Sequence, residues 1–339
     1  MSRLVLALAA LSVAAGPAAA EVVWSAPPAP PDHGDFWREL VEPHAIEVNQ
    51  ITALVQVMVI QPIDSAQGMS LQTSSDQRTR VLQAAVAKLR YARKLAPENV
   101  LVLAQLGRVA DELGNTRQAI EALQACIAVA GPDKAGAEVT GRLGMIYLRT
   151  GELDAAIRYL RLAQGPVTTA TGAEVLIDLS TALAMRGEMS DATDVLASAL
   201  PATLGYSPEQ WGVAFALAVQ YDRDDQRGAA FAELDKLQGV LADNSYAASM
   251  QGWLSTMHFT PAEDEHYFSA LLYESLGDYT EARADWALYA ASGGAFRARA
   301  LEHVAAIDEE RREQPGAHQA QQAVPVLPPV HMHRPRRHP

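Results

Sequence analysis

The chain has 339 residues, a formal net charge of −13 and one cysteine, with hydrophobic residues at 49%, aromatics at 6% and charged residues at 20%. That length and apolar fraction allow a substantial core, and alanine, the best helix former, dominates the apolar set. A disulfide framework is excluded because Cys126 has no second cysteine, and the acidic balance argues against nucleic acid and anionic lipid headgroups as ligands of the folded part.

Residues 1–20 carry Arg3 near the start, run apolar from Leu4 to Ala15 and finish in small residues, with Ala18 and Ala20 at −3 and −1 of the cut position. They predict a signal peptide cleaved before Glu21, with no cysteine there for a lipid anchor. No later apolar run is expected to span a membrane, so the predicted location is periplasmic or secreted. Residues 21–33 hold Pro27, Pro28, Pro30 and Pro31 and read as a Pro-rich spacer. Residues 34–75 read as an N-terminal helical segment and a loop. Trp37, Leu40, Val41, Ile46, Ile51, Leu54 and Val55 follow helical spacing, and Pro62 ends it.

Over residues 76–312 a pattern recurs. Leu106, Gly114 and Ala119 stand eight and then five residues apart, as do Leu143, Gly151 and Ala156, and Leu179, Gly187 and Ala192. Leu217 with Ala230, then Ala270, Gly277 and Ala282, continue it in weaker form. Successive leucines from Leu106 to Leu217 are 37, 36 and 38 residues apart. Such a repeat predicts antiparallel helix pairs joined by a tight turn, the glycine supplying a left-handed cap. Gly107 and Ala119 would mark the close helix crossing, with Tyr147 and Leu160 filling space farther out. Each pair must stack on the next to cover its apolar face. Residues 239–263 break the pattern and divide the expected array, Trp253 and Met257 suiting an extra helix. Phe296, Leu301, Val304 and Ile307 predict the apolar face of a capping helix. Residues 313–339, rich in Gln, Pro, His and Arg, lack the apolar content to fold and read as a disordered tail.

Three segments resemble the tetratricopeptide repeat family. Ala92-Arg-Lys-Leu-Ala-Pro97 is similar to the end of its second helix. Gly151-Glu-Leu153-Asp-Ala-Ala156 and Gly277-Asp-Tyr279-Thr-Glu-Ala282 are similar to its turn and second-helix start. The resemblance implies an all-α fold, a tetratricopeptide-like α-solenoid of antiparallel helix pairs. It also implies a non-enzymatic adaptor or scaffold that binds protein partners, here of the cell envelope, through a concave groove lined by the first helix of each repeat. In that register the groove residues are Ala104, Arg108, Met145, Arg149, Ile177, Thr181, Phe215, Val219, Tyr267 and Leu271. Ala104 and Arg108 stand where chaperone-tail binders of the family carry a lysine-and-asparagine clamp, so a free C-terminal carboxylate is not the implied ligand. The repeats here depart from the family in being longer than its usual interval of about 34 residues, and several lack its closing proline.

No G-x-S-x-G, H-E-x-x-H, C-x-x-C, P-loop or G-x-G-x-x-G set occurs, so no catalytic residue, metal site or cofactor is expected. Asp222 to Gly228 superficially looks like a calcium loop, but Arg227 replaces the glycine that an EF-hand requires, and the segment coincides with an inter-helix turn. Glu263-Asp264-Glu265 and Glu309-Glu310 read as solvated charge near helix ends, and Cys126 as a small core residue. Two rival readings are a cell-wall enzyme on a helical scaffold, using Asp264, Glu265 and Glu274, and a structural or metal-handling envelope component. The latter would use His331, His333 and His338 in the tail, together with Arg334, Arg336 and Arg337.

Overall fold

The recurring glycine closes the helix pairs as its spacing predicts. The computed structural model describes residues 42, 44–64, 75–240, 245–257 and 259–313. In it Gly114, Gly151, Gly187 and Gly277 take φ between 75° and 92°. Asp225 stands eight residues after Leu217 and takes the same place with φ 57°, a conformation Asp tolerates better than most side chains. Two bonds recur at each turn. The Gly114 N–H donates to the Asp111 carbonyl and the Asn115 N–H to the Ala110 carbonyl, and equivalent pairs form at 151/152, 187/188, 225/226 and 277/278. This is the Schellman arrangement, which satisfies the carbonyls orphaned at a helix end.

All regular structure among the described residues is helical. The chain divides into two compact units between Val129 and Ala130, rather than within residues 239–263. The first unit begins with α1 (Ala45–Val55), which continues through a π-helical turn (Gln56–Ile60) into a final turn (Gln61–Asp64). It then holds α2 (Ser75–Leu95), α3 (Val100–Glu112) and α4 (Thr116–Ala130). Val55, Val59 and Ile60 bury against Leu82, Ala85, Val86 and Leu89 of α2 and Leu106 and Val109 of α3. The N-terminal segment therefore packs into the array that was expected to start after it. The Gln105 amide donates to the Thr52 carbonyl at 3.1 Å and to Gln56 Oε1 at 3.2 Å, where the π turn loosens the helical ladder. Ala45–Ile63 is long and apolar enough, by length and composition, to cross a membrane. This corrects the expectation that no later run approaches that length: its glutamines and asparagine interrupt the apolar pattern, but Glu47 is its one charged residue.

In the second unit α5 (Ala137–Arg149) pairs with α6 (Leu153–Ala163), α7 (Ala170–Arg186) with α8 (Met189–Ala199), and α9 (Pro208–Arg223) with α10 (Arg227–Val240). An extra helix, α11 (Tyr246–Thr256), precedes the pair α12 (Asp264–Ser275) and α13 (Tyr279–Ser292), and α14 (Arg297–Glu313) follows. The alanines five residues after each turn, Ala119, Ala156, Ala192, Ala230 and Ala282, are all buried. A Cβ on Gly107 would meet Leu123 at 2.5 Å, and one on Gly144 would meet Leu160 at 2.6 Å. Leu160 thus sits at the closest crossing rather than farther out. Cys126 is fully buried, its Sγ 3.5 Å from the Val100 carbonyl, and burial pushes its thiol up, away from the reactive thiolate.

The expected face of the capping helix is only half right. Ile307 is buried, but Leu301 is exposed, and Arg299, Ala300 and His303 turn inward. Two charged side chains can occupy that face because α9 supplies a buried carboxylate for both.

Candidate partner-binding surfaces

The first helices of the pairs, α3, α5, α7, α9 and α12, carry the residues implied for the groove. In the first unit Ala104 is half-buried and Arg108 is buried. In the second, Met145 is half-buried and Arg149 exposed, whereas Ile177, Thr181, Phe215, Val219, Tyr267 and Leu271 are all buried. Those six side chains are enclosed by the unit itself and present no surface to a partner.

Ile177, Thr181 and Phe215 are covered by residues of the stretch that broke the repeat, and Tyr267 by Trp286, Tyr289 and Phe296. Trp253 of α11 lies against Gly212, where a Cβ would come within 2.2 Å of the indole. Its ring meets Phe215 and Phe268, each at 6.4 Å between centroids, and Phe259 meets Phe268 at 5.1 Å. Met257, Phe259 and Thr260 share a small cavity with Ile177, Asp178 and Thr181 of α7. The surface that would hold a foreign segment is filled from within. Helices α7 and α9 are consequently buried around nearly their whole circumference, the behaviour of a helix that is apolar all round.

A buried polar cluster fastens α14 to α9. Asp222 accepts from Tyr267 Oη at 2.7 Å, from Arg299 Nη2 at 2.6 Å, and faces His303 Nε2 at 3.0 Å. His303 Nδ1 lies 2.8 Å from Glu274 Oε2, which also accepts from Trp286 Nε1 at 2.9 Å, and the imidazole stacks on the Trp286 ring at 4.2 Å. Burial alone would raise the Asp222 carboxyl, yet bonds from His303 and Arg299 hold it well below the usual carboxylate range. Burial opposes charge on His303, but bonds to Asp222 and Glu274 prevail and raise it to about 9. Arg223 pairs with Asp264 at 2.8 Å, its guanidinium over the Tyr267 and Phe296 rings. Asp178 is held well above the carboxylate range, first by burial and then by the charges of Glu174 and Asp264.

These contacts revise several sequence readings. Asp264 is a buried ion-pair partner rather than a solvated cap, and Glu274 is bonded to His303 and Trp286. The segment from Asp222 to Gly228 is the inter-helix turn that was expected, and both Asp222 and Asp225 bond Arg299. Sequence reasoning missed Asp222, Arg299 and His303 as a set, because 77 and 81 residues separate the partners. Among the described residues no group of three or more His, Cys, Asp or Glu side chains is placed to hold a metal ion. The tail histidines, the predicted signal peptide and the predicted Pro-rich spacer lie outside the described residues.

A cleft of about 540 Å³ opens between α6 and α7, lined by Arg158, Arg161 and Arg186 with Asp154, Ile157 and Leu162. Its cations are largely answered from within. Arg186 bonds Asp154 at 2.9 Å and also Glu188, Arg161 lies 4.0 Å from Asp191, and Arg158 stacks over the Tyr159 ring.

The family model described as tetratricopeptide repeat matches residues 101–132 and 137–165, which carry α3 with α4 and α5 with α6. Among solved structures, PilW, a widely conserved type IV pilus biogenesis factor, is 17% identical with a TM-score of 0.45, over 75% of this chain and 98% of that one. The pilF protein of Pseudomonas aeruginosa is 14% identical with a TM-score of 0.44, over 81% and 97%. YrrB, described as a TPR protein with an unusual peptide-binding site, is 17% identical with a TM-score of 0.43, over 65% and 97%. No curated protein matches the chain.

Proposed function

We propose that this chain, whose residues 101–132 and 137–165 match the tetratricopeptide repeat model, acts outside the cytoplasm as a non-enzymatic adaptor for a protein partner of the cell envelope. One observation carries the reading. The two repeats matched by the family model are those whose first helix keeps part of its expected binding face open. In α3 Leu101 is 52% exposed beside half-buried Ala104. In α5 Arg149 is exposed, with Arg142 and Met145 half-buried. An apolar side chain flanked by arginines suits an interface, where aliphatic anchors supply burial and arginine supplies directed hydrogen bonds. Export is supported by the leader at residues 1–20 alone.

The test places a photo-crosslinking amino acid at Met145 and at Arg149 in the chain expressed with its own leader. The expected result is one discrete adduct with an envelope protein, absent when the crosslinker stands at exposed Lys236 on α10. Adducts of equal intensity from all three positions, or none, would refute the assignment of this face. Amino-terminal sequencing of the protein from cell fractions should find Glu21 in periplasm or medium, and a chain retained in the cytosol with Met1 would refute export.

A further inference from the structure

We infer that the first unit carries a second binding site, a cationic cleft between α2 and α4 that takes an acidic segment of a protein. The cleft measures about 190 Å³ and is lined by Arg90 and Arg93 of α2, by Arg117, Gln118 and Glu121 of α4, and by Asn115 at the turn before it. Three guanidinium groups meet one carboxylate there.

The charges are oriented without being neutralised. Arg90 donates to Gln118 Oε1, which also accepts from Asn115 Nδ2 at 3.0 Å. A neutral amide thus fixes the guanidinium and leaves its charge uncompensated. Arg93 forms no ion pair with any described residue. Arg117 lies 3.7 Å from Glu121, but the two are 92% and 62% exposed, so water screens that pair heavily. Lys94, one helical turn from Arg90, is exposed and extends the positive strip. Two arginines elsewhere are matched by close carboxylates: Arg78, on the same helix, bonds Glu112 at 3.1 Å, and in the cleft between α6 and α7 Arg186 bonds Asp154 and Glu188. A chain with a net charge of −13 that leaves one arginine cluster unmatched concentrates positive potential there.

The chemistry selects carboxylates on a peptide. Guanidinium forks bond carboxylates bidentately, and the cleft is sized for one or two acidic side chains with the strip beyond it following their backbone. A nucleic acid would bring its long run of charge against the acidic remainder of the surface. That the ligand is a protein segment rests on the adaptor reading; the cleft's preference for carboxylates does not.

The probe is a fluorescein-labelled hexaglutamate peptide, titrated into the mature full-length protein at low salt. Arg93→Ala with Arg117→Ala should weaken binding roughly tenfold, since charge-assisted bonds are lost, and Arg93→Glu more. Arg158→Ala with Arg161→Ala in the other cleft should leave it unchanged, as should an uncharged hexaglutamine control for background. Unaltered thermal melting confirms that each variant folds. Binding that falls equally in both double variants would mean a general charge effect and overturn the site. Inorganic phosphate displacing the peptide at equal concentration would overturn the acidic segment as its ligand. Should hexaglutamate bind as expected while no crosslinked partner is found, the adaptor reading fails and the cleft stands. Should a partner crosslink at Met145 while hexaglutamate ignores Arg93 and Arg117, the cleft alone fails.

Discussion

Helices α5 and α7 hold the same position in consecutive repeats and obey the same rule of leucine, glycine and alanine, yet they have opposite fates. On α5 the residues Arg142, Met145 and Arg149 remain open to different degrees. On α7 the corresponding Asp178 and Thr181 are buried and Met185 is half-buried, and on α9 the corresponding Ala216, Val219 and Arg223 are all buried. The difference lies in what comes later in the chain. Helix α11, Met257, Phe259, Thr260 and the ends of α12 and α14 return to cover α7 and α9, while Arg149 stays exposed. A repeat therefore specifies its helix pair, and the interruption of the repeat specifies which faces stay available.

The enclosure is held by charge, which gives the strongest way to break the comparison. Asp222→Ala removes the one carboxylate shared by Arg299, His303 and Tyr267, leaving His303 with Glu274 alone and Arg299 with the exposed Asp225 and Glu302. Losing one partner of a buried pair costs about 3–5 kcal/mol. Chemical unfolding should report a loss of that size, and hydrogen exchange should rise in α9, α12 and α14 more than in α5. A loss under about 1 kcal/mol would mean that the cluster holds nothing in place.

Alkali probes the same contact without mutation. His303 is raised from an unfolded value near 6.5 to about 9. Its contribution is therefore complete below pH 6.5 and is lost as pH rises through about 9, to a total on the order of 3 kcal/mol. Denaturation midpoints should fall across that window in the native protein and stay flatter in His303→Gln. Asp222 runs the other way: its lowered carboxyl adds stability above the ordinary carboxylate range, and that stability is lost in acid.

The smallest effect concerns the aromatic cover. Trp253 is half-buried against Gly212, so Trp253→Ala should cost about 2 kcal/mol, below the 3–5 typical of a fully buried ring. It should also make Phe215 accessible, raising binding of a hydrophobic dye to the folded protein under conditions where the native protein binds little. If dye binding stays unchanged, some other segment covers α9.

Much of this was legible in the sequence because it is local. Five turns and the small residues that follow them depend on glycine's freedom at positive φ and on contacts between helices adjacent in the chain. Spacing alone reports both, even at Asp225, where the pattern held without its glycine. The continuous apolar composition of Phe215-Ala-Leu-Ala-Val219 is that of a helix buried on all sides, which conflicts with the groove register. Other features left no such mark. Arg299 and His303 lie outside the predicted apolar face of the capping helix, and their partner Asp222 is 77 and 81 residues earlier; Asp264 read as surface charge. The sequence by itself determined the helix pairs and their turns, through nearest-neighbour packing that each repeat encodes. Only the tertiary structure decided which binding faces survive, because burying a charge or covering a groove depends on segments distant in sequence meeting at one place.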